Sequence, residues 1–185
     1  MYPWFRLARS LASGRKLPPI GIFETHVSQH RVSLMDIDMF MEMNNGRILT
    51  IFEFGRWDLS QRTGLWDSLR KKGWGFTVAG SSVRYRKRLL PLERFEMRTR
   101  LLGWDDRFIY VEQAMFKKSG ECANHVLFRT AVVSDGRAVP PPEVAELLGQ
   151  KTSPPLPGWV QAWVEADKQR PWPPMEEATA VSLAA

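Results

Sequence analysis

A change in the spacing of the apolar residues near residue 75 limits the possible folds more than any other feature of the sequence. Apolar positions between Ile48 and Leu59 recur at the spacing of an amphipathic helix. After residue 75 the period becomes two, which is typical of strands. The predicted strands are "FTVAGSSVRYRKRL", "RFEMRTRLL", "FIYVEQAMF" and "NHVLFRTAVV". Short turns join them, so we expect antiparallel pairing. With an earlier strand in "HVSQHRVSL", the order predicts an α+β fold with one long helix against one antiparallel sheet.

The 185 residues suit one domain with an added segment at each end. Residues 1–21 contain arginines between apolar positions at helical spacing, which predicts a basic amphipathic helix. Most of the 13 prolines lie from Pro140 onward. We therefore predict a folded domain at residues 22–150 and a Pro/Trp-rich extension at 151–185. In this extension "GWVQAWVEADKQR" is expected to be helical and residues 170–185 loose.

A net charge of +6 and a pI near 9.8 make an anionic partner plausible. Acidic residues are spread along the same strands and the sequence shows no nucleic-acid-binding motif, so no nucleic acid is expected. The N-terminal helix either packs on its own domain or lies on an anionic membrane. One cysteine, Cys122, excludes an intrachain disulfide and suits a reducing compartment. We therefore expect a cytoplasmic protein, with membrane association as the alternative.

Polar residues gather just before the long helix, where an apolar run begins. They are Asp36, Asp38, Glu42, Asn44 and Asn45. A helix cap, worth about 1 kcal/mol, explains one asparagine and leaves the other groups unexplained. Free N–H groups at a helix start can also stabilise an oxyanion, beside a carboxylate acting as base or nucleophile. Spacing alone leaves both interpretations open.

This motif resembles the hot-dog-fold acyl-CoA thioesterases of the 4-hydroxybenzoyl-CoA thioesterase type. The matching residues are Asp36, Asp38, Asn44, Asn45, Glu53 and Arg56, and "VRYRKRLLPLERFEMRTRLLGWDDRFIYVEQAMF" looks like the central strands of that family. The resemblance covers about Thr25 to Pro140. It implies a sheet wrapped around one long helix, and a homodimer or tetramer paired through edge strands with active sites at the interface. It also implies an acyl thioester as substrate and no metal or organic cofactor.

The resemblance further implies roles by position. Asp38 would be the general base or nucleophile in hydrolysis of an acyl-CoA to free acid and thiol. The N–H groups around Asn44, Asn45 and Gly46 would bind the oxyanion. The chain departs from the family at Glu42, where many members carry histidine, and at Met41, where they often carry glycine. Glu42 either shares a proton with Asp38 or is an ion-paired surface residue.

The remaining candidates each have a structural alternative. Asp36 is expected to hold the loop. Glu53 either positions water in catalysis or pairs with Arg56 three residues later. The basic strand positions Arg84, Arg86 and Arg88 either meet coenzyme A phosphates or are solvated.

Two rival functions remain. One is a hot-dog protein that binds acyl-CoA or lipid without turnover, and the other is an interaction module that uses the C-terminal extension. A pocket at the helix start lined by Asp38 would favour the enzyme. A sealed or wholly apolar pocket would favour the binding protein. His26 and His30 lie about 13 Å apart on an extended strand, so no shared metal is expected.

Overall fold

The computed structural model describes residues 3–174, which divide between Pro154 and Pro155 into two compact units. The N-terminal unit contains the sheet and the long helix, and the described residues of the C-terminal unit contain a single helix. The three-part division of the sequence at residues 21 and 150 stays a prediction.

One antiparallel sheet forms most of the N-terminal unit. Its strands are β1 (His26–Arg31), β2 (Gly75–Tyr85), β3 (Arg94–Trp104), β4 (Ile109–Lys117), β5 (Cys122–Ser134) and β6 (Arg137–Val139). The spatial order is β1-β3-β4-β5-β2, with β6 paired to the end of β5. The predicted succession of strand, helix and four strands is confirmed. β6 was not predicted, because three residues are too short to show an alternating pattern.

The helices are α1 (Trp4–Gly14), α2 (Asn45–Arg62), α3 (Leu65–Lys72), α4 (Pro141–Glu146) and α5 (Gly158–Lys168). α2 is the long central helix, and Ile51, Phe52 and Phe54 bury its apolar side. The sheet supplies the opposing core residues, including Phe95 and Met97. This arrangement of an antiparallel sheet over one long helix is the predicted one.

Gly55 sets how closely α2 approaches the sheet. A Cβ at this position would meet Thr99 Oγ1 and would lie 2.8 Å from both Gln113 Nε2 and Met97 Cε. Since real Cβ atoms essentially never come this close to their neighbours, only glycine fits here without a shift of the sheet side chains. The middle of α2 is therefore fixed directly against β3 and β4.

Helix α1 packs on α2 within the same unit. Arg6 forms an ion pair with Asp36, and Ser10 Oγ donates to Asp58 Oδ1 at 3.1 Å. Leu7 packs against the core. The basic N-terminal helix thus has the packed arrangement that was one of its two interpretations. Among the described helices, none has both the length and the apolar character needed to cross a bilayer.

In the C-terminal unit, α5 begins after Pro157 and carries an ion pair of 2.7 Å between Lys168 Nζ and Glu165 Oε1. Trp159 is 46% exposed. Residues 175–185, which include most of the segment predicted to be loose, lie outside the described residues.

Candidate active site

The loop before α2 is a tight turn held by its own backbone. The Met41 N–H donates to Asp38 O at 3.1 Å, and the Asp38 N–H donates to Glu42 O at 2.9 Å. Ile37 and Met43 are bridged next to this pair. Met41 closes the turn at a φ of 59°, a left-handed conformation that is costly for a residue with a side chain. A glycine, which the resembling family often has here, would adopt it freely.

Asp36 holds the loop to both helices. It is buried, and its carboxylate accepts the Ser33 N–H at 3.1 Å and pairs with Arg6. Arg47 Nε lies 3.6 Å from Asp36 Oδ1. The Asp36 carbonyl oxygen also accepts the Asn44 N–H at 2.8 Å. These contacts confirm that Asp36 has the structural role expected of it.

Asp38 is half-buried and differs from its acidic neighbours. Its Oδ1 accepts the Phe40 N–H at 2.9 Å. Within residues 3–174 no cationic side chain forms an ion pair with Asp38, and Oδ2 has no protein partner. One carboxylate oxygen is therefore fixed by the turn while the other is available to a ligand.

The start of α2 leaves one N–H group available. Asn44 Oδ1 accepts the N–H groups of Gly46, at 2.9 Å, and of Arg47, at 3.3 Å. The Asn44 N–H is used by Asp36. Of the four N–H groups that a helix start leaves unpaired, only that of Asn45 has no acceptor among the described residues. The cap interpretation is confirmed for Asn44. An oxyanion role for Asn44, Asn45 and Gly46 stays a prediction, with Asn45 the best-placed donor.

Glu42 forms an ion pair of 2.8 Å with Arg88 Nε, which matches the ion-paired alternative. Its catalytic role stays a prediction. Arg86 and Arg88 are exposed in the segment that follows β2, and Arg84 is exposed on β2 itself. Phosphate binding by these three arginines also stays a prediction.

A cavity of about 390 Å³ lies along the second half of α2. Side chains from α2, α3, α4 and strands β2 to β5 line it, mostly apolar ones such as Trp57, Phe76, Val111, Val144 and Leu148. Asp38 does not line this cavity. The volume lies within the range of about 300–1,000 Å³ that small-molecule sites occupy.

Glu53 and Arg56 are the charged residues of this cavity. Glu53 Oε1 accepts the Trp57 Nε1–H at 3.2 Å, and Arg56 Nη1 donates to Gln113 Oε1 at 2.9 Å. Since α2 rises 1.5 Å per residue, Glu53 lies about 12 Å along the axis from Asn45. Glu53 therefore lies well along α2 from the loop that holds Asp38. Its catalytic role stays a prediction.

Gln113 is a residue that sequence reasoning missed. Its Nε2 donates to the Phe52 carbonyl oxygen and to Thr99 Oγ1, both at 2.8 Å, so it ties α2 to the sheet while orienting Arg56. A signal was present, because Gln113 shares the strand face of the buried Val111 and Met115. A polar residue on an apolar face must be hydrogen-bonded.

The N-terminal histidines are structural. His26 is buried with Nδ1 2.9 Å from Arg62 Nη1. His30 stacks on Phe95, and burial lowers its pKa to about 4, so it is neutral near pH 7. Across the residues that the structure describes, no group of three or more His, Cys, Asp or Glu side chains could hold a metal ion.

Comparison with known proteins agrees with this architecture. Residues 32–164 match the family model of the Thioesterase-like superfamily. A protein named THEM6 from Xenopus laevis is 35% identical over 132 residues, which are 70% of this chain and 62% of that relative. The chain therefore spans less than two thirds of the length of this relative.

Two solved structures share the fold. YbaW from Escherichia coli, described as a probable thioesterase, has a TM-score of 0.62 and 18% identity over 68% of this chain and 98% of its own. A DHNA-CoA thioesterase from Staphylococcus aureus has a TM-score of 0.59 and 16% identity over 78% of this chain and 91% of its own. The family match and the shared architecture establish that this chain belongs to the Thioesterase-like superfamily and has the hot-dog fold.

Proposed function

We propose that the protein hydrolyses an acyl thioester, an acyl-CoA foremost, to free acid and thiol at the loop that precedes α2. One observation carries the proposal. Of the three acids in this loop, Asp36 and Glu42 are engaged by arginines, whereas the Asp38 carboxylate accepts only the Phe40 N–H within the described chain. Asp38 is therefore the acid best placed to react.

Asp38 can act by either of two routes. As a base, it takes a proton from water while the water oxygen attacks the thioester carbonyl carbon. As a nucleophile, it attacks that carbon itself, and water later hydrolyses the mixed anhydride. In both routes the negative charge develops on the former carbonyl oxygen, and collapse expels the thiolate, which then takes up a proton.

The Asn45 N–H is the proposed donor to that oxyanion. It lies at the positive end of the α2 dipole, which favours a developing negative charge. One such donor is typically worth about 10²–10³ in kcat. Glu42 and Arg88 flank the loop as an ion pair, and the exposed Arg84 and Arg86 are the proposed contacts for coenzyme A phosphates.

Strand β2 supports a proposed homodimer. It is hydrogen-bonded to β5 on one side, and no described strand pairs with its other side. Phe76, Val78 and Tyr85 are exposed along it. An open edge strand of this length is a template for pairing with another chain, so we infer that two copies pair through β2.

The position of the cavity favours a second candidate function. Its lining is mostly apolar and does not include Asp38, as expected of a protein that binds acyl-CoA or lipid without turnover. The name of the Staphylococcus aureus neighbour, a DHNA-CoA thioesterase, supports turnover of a coenzyme A ester instead.

Thiol release from a panel of acyl-CoA esters decides between the two functions. Asp38→Asn keeps an acceptor for the Phe40 N–H and removes the charge, so kcat/KM should fall about 10³-fold. Asp106→Asn, at an exposed aspartate in the turn between β3 and β4, is the matched control and should change little.

Two outcomes would oppose the proposal. An Asp38→Asn variant that is folded by circular dichroism and fully active would remove Asp38 from the mechanism. A wild-type protein that binds an acyl-CoA in calorimetry but releases thiol from none of the esters would be the binding protein instead.

A further inference from the structure

We propose that the end of the N-terminal unit where α2 begins docks on an anionic lipid surface. This docking end consists of three segments with exposed large apolar side chains: the start of α1, residues 34–41 of the loop, and residues 90–92 of the turn before β3. Its exposed apolar members include Phe5, Met35, Met39, Phe40 and Leu92.

Hydrogen bonds join these three segments. Arg6 pairs with Asp36 and donates to the Arg31 carbonyl oxygen at 3.3 Å, which places the start of α1 beside the loop. The Leu92 N–H donates to Val32 O at 3.1 Å, which joins the turn to the segment leading into the loop. The apolar side chains therefore belong to one end of the N-terminal unit.

The side chains of this end are exposed to an unusual degree. Met39 is 86% exposed, Phe5 83% and Met35 75%. Single exposed apolar residues are normal on a protein surface, whereas a contiguous group marks an interaction site. The turn around Asp38 holds Met39 and Phe40 outward, and it does so at the cost of a left-handed Met41. The backbone conformation of the loop therefore causes the exposure of these two side chains.

The charges around the docking end favour anionic headgroups as the partner. Three of the four loop and turn acids form ion pairs within the protein: Asp36 with Arg6, Glu42 with Arg88 and Glu93 with Lys117. Only Asp38, which is half-buried, has no cationic partner among the described residues. The exposed charges at this end include the basic Arg31, Arg94 and Lys118.

A cleft in the docking end is lined by both basic and apolar side chains. Arg31, Arg94 and Lys118 line a shallow cleft with Leu92 and Glu93, next to the apolar segments. Basic residues near an anionic membrane strengthen binding to it. Two copies facing each other through this end would instead bring like charges together. A phosphate-bearing lipid surface is therefore the partner that fits.

Docking would place the loop that holds Asp38 at the membrane surface. If the proposed hydrolysis also holds, the natural substrate is a long-chain acyl thioester that partitions into the bilayer. This last step rests on the proposed function, whereas docking itself does not.

Vesicle flotation of the full chain tests the docking. We expect the wild type to bind phosphatidylcholine vesicles that contain phosphatidylserine, and to bind pure phosphatidylcholine more weakly. The double variant Phe5→Ser/Phe40→Ser removes two aromatic rings, which should lower the partition coefficient by at least about 30-fold. Trp172→Ser, at an 85% exposed tryptophan of the C-terminal unit, is the matched control and should bind as the wild type does.

Wild type that fails to bind either vesicle, or a double variant that binds unchanged, would overturn the proposal. Light scattering of the same proteins identifies the competing partner. If the wild type is a dimer and the double variant is a monomer, the docking end contacts a second copy of the chain and the lipid assignment is wrong. The flotation assay contains no substrate, so it does not depend on the proposed hydrolysis. An Asp38→Asn protein that is inactive but still floats with the vesicles would show that docking and hydrolysis are independent.

Discussion

The two halves of α2 present different environments to a ligand. At its start lies an exposed loop with a strained turn, where within residues 3–174 one carboxylate has no cationic partner and one N–H has no acceptor. Along its second half lies an apolar cavity of about 390 Å³ in which Glu53 and Arg56 are held by Trp57 and Gln113. The proposed reactive groups and the cavity therefore lie at different positions along one helix.

The difference follows from how each half meets its neighbours. The first turn of α2 faces a short loop, and three of its four N–H groups donate to Asn44 and Asp36. At Gly55 the helix reaches the sheet itself, and residues beyond it line the cavity together with α3, α4 and the strands. Substitutions in the two halves of α2 should therefore affect stability and activity differently.

The largest effect on stability is expected where the two halves join. Gly55→Ala places a Cβ against Thr99, Gln113 and Met97, and overpacking of this kind costs about 1–3 kcal/mol. Urea denaturation should show this loss. Gly158→Ala, where an added Cβ meets nothing within 4 Å, is the control and should be nearly neutral. Equal midpoints for Gly55→Ala and wild type would mean that α2 does not depend on this close approach.

Filling the cavity should affect long acyl chains selectively. Ala145 is buried and lines the cavity. If the acyl chain occupies this space, Ala145→Phe should lower kcat/KM for a long-chain acyl-CoA about tenfold relative to acetyl-CoA. Ala162→Phe, on the exposed side of α5, serves as the control. An equal loss of kcat/KM for both esters would mean that the acyl chain does not occupy the cavity.

The smallest effect is expected at the strained turn. Met41→Gly removes the cost of a left-handed side-chain-bearing residue, so the free energy of unfolding should rise by about 1 kcal/mol. Met39→Gly is the matched control, because Met39 does not have a positive φ, and it should not stabilise the protein. If Met41→Gly is instead the less stable variant, the turn is not strained in the way the backbone geometry indicates.

The sequence predicted local features better than long-range ones. The change of period located α2 and the four main strands, and a cap by one asparagine was one of the two interpretations of the polar residues before α2. The pairing of Glu42 with Arg88 could not be deduced, because 46 positions separate the two residues and only the fold brings them together. The cavity depends likewise on where α3, α4 and four strands converge. Gln113 was also missed, although the sequence did contain a signal for it: a polar side chain on an apolar strand face.

We propose that hydrolysis takes place at the loop and not in the cavity. A comparison of Asp38→Asn with Glu53→Gln in hydrolysis of the same acyl-CoA at the same pH tests this proposal. We expect Asp38→Asn to lower kcat/KM about 10³-fold and Glu53→Gln to lower it less than about tenfold. A larger loss for Glu53→Gln, with Asp38→Asn still active, would place the reaction in the cavity instead.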